Sequence, residues 1–241
     1  MRAIARIALA TCIISLVLAE AALAQGERKA QSKSGPKAAG VLAADRGKFQ
    51  VLFDGQPVGE EEFSVSPSGS EWISRGSVEI KIPGGGSAQV DAELRTSADG
   101  TPRSYRWSSA GQKKASGTIQ FEGTSAKMEL KAEGGQPFVQ EFQFETARVV
   151  VLDNNLYHQY GLLARLYDWN AKGTQTFAVL IPQDLTPGTV TVEWGGPQEI
   201  EGQKLELLKV RSADLELELY VGGGRLMRLF VPGAKVEVKR E

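Results

Sequence analysis

From Lys48 to the end of the chain, apolar and polar side chains alternate with a period of two over most segments. KFQVLF, then Asp54-Gly55, then PVGEEEFSV reads as strand, turn, strand, with the Asp-Gly pair supplying residues that accept positive φ. WISRGSVEIKI, SAQVDAELRT, RSYRWSS, SGTIQFEG, AKMELKAE and PFVQEFQFE continue the series, separated by turn-forming clusters such as Asp99-Gly100-Thr101-Pro102. The alternation predicts an antiparallel sheet with one wet face, because parallel sheets covered on both sides have near-continuous apolar strands.

The period changes once. After Val149-Val150-Val151-Leu152, the stretch NNLYHQYGLLARLYDW carries apolar residues at helical spacing: Leu156, Tyr157, Tyr160, Leu163, Ala164 and Tyr167. Leu162 and Leu166 widen this stripe, leaving His158, Gly161, Arg165 and Asp168 as a narrow polar or small strip. A helix is predicted at about 154–168, with Asp153 or Asn154 as its N-cap. So apolar a helix needs cover on more than one side. Strands then resume as TQTFAVLI, GTVTVEW, QKLELLKV, DLELELYV, RLMRLFV and AKVEVKR. The expected fold is mainly β: a single curved antiparallel sheet, half-barrel or open barrel, of roughly 11–14 strands wrapped around one central helix. Residues 48–241 form one domain in this reading, since no polar or proline-rich linker divides them.

The opening strand, the D-G-x-x-V-G segment Asp54-Gly55-Gln56-Pro57-Val58-Gly59 and the mid-chain helix rich in leucine and tyrosine support a resemblance. The chain resembles uncharacterised periplasmic half-barrel domains similar in plan to the lipoprotein carriers LolA and LolB. The likeness is one of topology over roughly Lys48 to Arg240. It implies the shape and assigns no site residue.

The N-terminus changes the picture of compartment. MRAIAR is basic, IALATCIISLVLA is apolar, and Ala22-Leu23-Ala24 has the small residues that a signal peptidase reads. Residues 1–24 are expected to be a signal peptide cleaved after Ala24, which makes the protein periplasmic or secreted and removes Cys12, the only cysteine. Glu20 ends the apolar run short of the ~20 residues that a spanning helix needs. No later segment is apolar and long enough for a transmembrane helix. Residues 25–47 are small, polar and lysine-bearing, and are expected to be a disordered linker.

A formal charge of −1 gives no electrostatic case for nucleic acid. With His158 the only histidine, a multi-imidazole metal centre is excluded, and no calcium-loop or phosphate-loop spacing occurs; no cofactor and no metal are expected. The glycine runs at 84–86 and 222–224 lie between alternating strands and read as hairpin loops. His158 is expected to be a polar-strip residue bonded to a neighbouring carbonyl, and no catalytic residue is assigned. Paired carboxylates of a hydrolase would have to come from residues such as Glu60, Glu61, Glu62, Asp91, Glu93, Asp153, Asp168, Glu193, Glu216 and Glu218. Glu216 and Glu218 share one strand face of the kind that is usually solvated.

Two non-enzymatic readings remain. In the first, a lipid or other hydrophobic small molecule lies in an apolar cleft between helix and sheet. Tyr157, Tyr160, Leu163 and Tyr167 would line the cleft from the helix, with Phe142, Phe144, Phe177 and Tyr220 facing them from the sheet. In the second, the interior is filled and the protein is an envelope structural module that pairs with another envelope protein. A hydrolase using paired carboxylates is the third.

Overall fold

A computed structural model describes residues 41–81, 86–111, 114–183, 185–213 and 215–241. The expected leader, most of the expected linker, and Gly84 and Gly85 lie outside these residues. The folded body starts before Lys48. Leu42 is buried, and the Val41 N–H donates to the Ala98 carbonyl (3.1 Å). The apolar side chain and backbone bond of this stretch tie down residues expected to belong to the linker.

The first eight strands are β1 (Asp45–Phe53), β2 (Gln56–Ser68), β3 (Glu71–Lys81), β4 (Ser87–Ser97), β5 (Pro102–Gly111), β6 (Ala115–Glu122), β7 (Ser125–Ala132) and β8 (Phe138–Gln143). After β9 (Val149–Val151) and helix α1 (His158–Leu166) come β10 (Gln175–Ile181), β11 (Thr186–Ile200), β12 (Gln203–Arg211), β13 (Glu216–Gly222), β14 (Arg225–Val231) and β15 (Val236–Arg240). They form a single 15-stranded sheet ordered β8-β7-β6-β5-β4-β3-β2-β1-β15-β14-β13-β12-β11-β10-β9. Among the described residues the protein is thus mainly β, a large open curved sheet with one α-helix. Its two edge strands, β8 and β9, are consecutive in sequence but lie at opposite ends of the hydrogen-bonded order, so the sheet is not closed. Gln140 Nε2 nevertheless reaches from β8 to the Leu185 carbonyl beside β11 (2.9 Å).

All neighbours are antiparallel except β9 and β10, which run parallel with the helix as their crossover. Alternation did not reveal β9, because all three of its valines are buried. Val149 and Val151 join one apolar cluster while Val150 joins the other, so the strand is covered on both faces. The Asp54-Gly55 turn has φ of 49° and 78°, and Gly223-Gly224 has 57° and 72°. Both are two-residue hairpin turns of the expected kind.

Two clusters fill the inner face. One joins α1 to β1–β4 and to β10–β15 through residues such as Phe49, Val78, Leu163, Leu208, Leu219 and Val238. The other lies beneath β4–β10, with Tyr105, Ile119, Met128 and Leu180 at its centre. α1 is shorter than its apolar stripe. It starts at His158, and Tyr157 stands at the N-cap without a side-chain cap bond. At the other end, Tyr167 turns extended (ψ 132°), and Trp169 Nε1 donates to the Ala164 carbonyl (3.0 Å).

Candidate functional site

The helix N-terminus is held by a carboxylate from the sheet. Stepping back by two from Phe63 and Val65 places Glu61 on the inner face of β2, where it is fully buried. Its Oε2 accepts from the backbone N–H groups of Tyr157 (2.9 Å) and His158 (3.2 Å), and its Oε1 accepts from His158 Nδ1. Glu61 therefore supplies the negative charge that the N-terminus of a helix favours, in place of a local cap. His158 is buried, not on a solvated strip, and its partner is this carboxylate, not a carbonyl. Its ring stacks on Phe63 (5.6 Å between centroids), and its Nε2 is buried without a hydrogen-bond partner among the described residues. Gly76 makes room for the pair, since a Cβ there would lie 2.5 Å from His158 Cε1 and 2.9 Å from Glu61 Oε1.

A second buried carboxylate fixes the segment that leads into the helix. Asp153 Oδ2 accepts from the Tyr105 hydroxyl (2.6 Å), Oδ1 accepts from the Asn155 N–H (3.1 Å), and the Asp153 N–H donates to Gln159 Oε1 (2.6 Å). The expected N-cap thus shapes the turn before the helix. Burial, then the charge of and hydrogen bond to Asp153, push the Tyr105 phenol well above its ordinary range.

The eight residues expected to line an apolar cleft divide three ways. Tyr157, Tyr160, Leu163 and Tyr167 pack in the first cluster, with Phe177 half-buried against them. Phe142 and Phe144 belong to the second. Tyr220 does not face the helix. Its neighbours Leu219 and Val221 point inward, whereas Tyr220 packs with Leu205 and Leu207 on the outer face of the sheet. There its hydroxyl donates to Glu218 (2.6 Å), and burial followed by this bond pushes its pKa to about 12. Glu216, on the same face, is exposed and accepts from Arg211 Nε (3.0 Å).

A recess lies on the outside of the sheet. A groove of about 800 Å³ crosses the outer face of β2–β7 and is lined by none of these eight residues. Two cross-strand rows build it. One runs Glu62, Ser77, Asp91, Ser108, Ser116 and Lys131; the other runs Ser64, Arg75, Glu93, Arg106, Thr118 and Glu129. Gly76, Ala92 and Gly117, small residues whose side-chain positions point inward, form part of its floor. Glu93 is only 6% exposed although it faces outward. Arg75 Nη2 (2.7 Å), Arg95 Nε (3.0 Å) and Arg106 Nη2 (3.1 Å) surround its carboxylate. Burial pushes this carboxyl up, but the bond from Arg95 and the charges of Arg106 and Arg75 outweigh burial and hold it below the usual range. Alternation identifies these residues as outward-facing, but only the register of six strands brings them into one groove.

No family model matches the chain, and no curated protein matches it. Two solved structures match the chain in part. One is a β-barrel-like protein of the domain of unknown function DUF1849 from Brucella abortus, with TM-score 0.55 at 9% identity over 82% of this chain and 95% of that one. The other is a DUF1089 family protein from Pseudomonas aeruginosa, with TM-score 0.46 at 12% identity over 72% of this chain and 90% of that one. The first likeness defines the class as β-barrel-like.

Proposed function

We propose that this is a non-enzymatic extracytoplasmic protein that works by surface recognition, with the outer groove across β2–β7 as the face presented to an envelope protein. The observation that carries this reading is the position of the groove. A recess lined mainly by charged and hydroxyl residues lies outside, while the helix stripe expected to border an internal cleft is packed against the sheet. The groove offers near-balanced charge, with Glu62, Asp91, Glu93 and Glu129 against Arg75, Arg106 and Lys131, and five hydroxyl side chains between them. Arg75 and Arg106 are 52% and 67% exposed, so each retains donors for a partner after binding Glu93. The expected leader supports the extracytoplasmic setting. His158 Nδ1 is engaged by Glu61, and Glu216 and Glu218 by Arg211 and Tyr220, which favours structural roles over catalytic ones.

The carrier reading rests on the sequence's resemblance in plan to LolA and LolB. It requires lipid to enter beside a helix that Glu61 and Asp153 anchor. Native mass spectrometry of protein purified from its own envelope separates the two readings. The polypeptide mass alone is expected, and a stoichiometric co-purifying lipid would overturn the proposal. A photo-crosslinking residue at Ser108 should capture an envelope protein, whereas one at Glu199 on exposed β11 should not. Arg75→Glu with Arg106→Glu should abolish that adduct; its persistence would count against the groove.

A further inference from the structure

At one mouth of the half-barrel, three arginines converge on a single carboxylate. Asp45 opens β1 and is 9% exposed, and Arg240 of β15 grips both its oxygens, with Nη2–Oδ1 at 2.7 Å and Nη1–Oδ2 at 3.2 Å. Arg240 also donates to the Arg46 carbonyl (2.8 Å) and lies over the Phe63 ring (5.2 Å), so its guanidinium is held by three hydrogen bonds. Arg165, near the end of α1, reaches Asp45 through one long contact of 3.4 Å although it is only 12% exposed. Arg225, 57% exposed, approaches Asp45 at 3.7 Å without a hydrogen bond.

One negative charge therefore faces three positive ones. Burying like charges together is unfavourable unless an anion joins them. Burial, opposed by Asp45 but reinforced by Arg225 and Arg240, holds the Arg165 guanidinium below its ordinary range. Arg225 also borders a second hollow of about 360 Å³, together with Gln203 and Lys204. Among the described residues Lys204 makes no ion pair. The wall of the hollow is built for close approach, since a Cβ on Gly222 would lie 2.7 Å from Leu205 Cδ2.

We infer that Arg225 and Lys204, backed by Arg165, form a binding site for a phosphate-bearing anion at this mouth. Two planar guanidinium forks and a point-charge ammonium match a tetrahedral oxyanion carrying more than one charge better than they match a single carboxylate. Free phosphate and the headgroup of an anionic phospholipid share this chemistry.

The test uses the mature chain with two probes: inorganic phosphate in calorimetric titration, and phosphatidylcholine vesicles with and without phosphatidylglycerol in sedimentation. Saturable phosphate binding with no gain on anionic vesicles supports a free-phosphate ligand. Binding that requires phosphatidylglycerol supports a headgroup. In either arm Arg225→Gln with Lys204→Gln should weaken binding by about tenfold or more, because charge-assisted bonds are lost. Both side chains are at the surface, so the melting temperature should stay unchanged. Arg165→Gln should lower affinity further, and chloride at equal ionic strength should not compete. Binding to neither probe, or equal binding by wild type and the double variant, overturns the site.

Discussion

Glu61 on β2 and Glu93 on β4 are both buried glutamates of one sheet, and they do opposite work. Glu61 faces inward at zero exposure and gives its oxygens to backbone N–H groups and to His158. Glu93 faces outward and gives its oxygens to three arginines that remain 40% or more exposed. The inner carboxylate is consumed by structure, because its partners, two backbone N–H groups and the His158 ring, are buried in the core. The outer one organises guanidinium forks, two of which, Arg75 and Arg106, line a groove. The contrast is why recognition is assigned to the outside of this half-barrel and support to the inside.

The largest effect should come from Glu61→Ala. It strands two helix N–H groups and the His158 ring in the core, and urea unfolding should show a loss of about 3–5 kcal/mol. A loss below 1 kcal/mol, an approximate limit for surface pairs, would break the comparison. Gly76→Ala comes next. The added methyl must displace the His158–Glu61 pair, and overpacking of this kind costs about 1–3 kcal/mol in thermal melts. Tyr105→Phe deletes the donor to Asp153 and leaves a buried carboxylate short of one bond, which should cost about 1.5–3 kcal/mol.

Glu93 sharpens the comparison through pH. Its folded pKa lies below the unfolded value, so its contribution is present above the ordinary carboxylate range and disappears as pH falls through the depressed folded value. Glu93→Gln should therefore remove part of the wild-type acid-induced loss, while costing about 1 kcal/mol at neutral pH, because its arginine partners are well solvated. Urea midpoints measured from pH 7 downward check this. An unchanged acid slope would mean that Glu93 contributes no linkage.

Much of the fold was legible from period alone. Strict alternation marks the long strands, and Asp54-Gly55 and Gly223-Gly224 take the positive φ that their residues suggest. β9 escaped because a short strand covered on both faces has no alternation to read. The helix start was misplaced because Asp153 is a good local cap, whereas the acceptor used comes from β2, nearly a hundred residues earlier in sequence. The alternation already put Glu61 among inward positions, two before Phe63, and a charge there was the one clue to its role. Tyr220 failed as a cleft residue for the same parity reason: it alternates with Leu219 and Val221 and so belongs to the opposite face. The outer groove depends on register across six strands, which no single strand encodes.

Native-state hydrogen exchange tests most directly whether the helix is fixed structure. If Glu61 and Asp153 lock α1 in place, the amides from Leu162 to Leu166 should exchange only by global unfolding, with the same free energy and urea dependence as the amides of β13 bonded to β12 and β14. Exchange of the helix through a separate, urea-insensitive opening well below the global free energy would contradict the account, because it would reveal an interior that opens on its own.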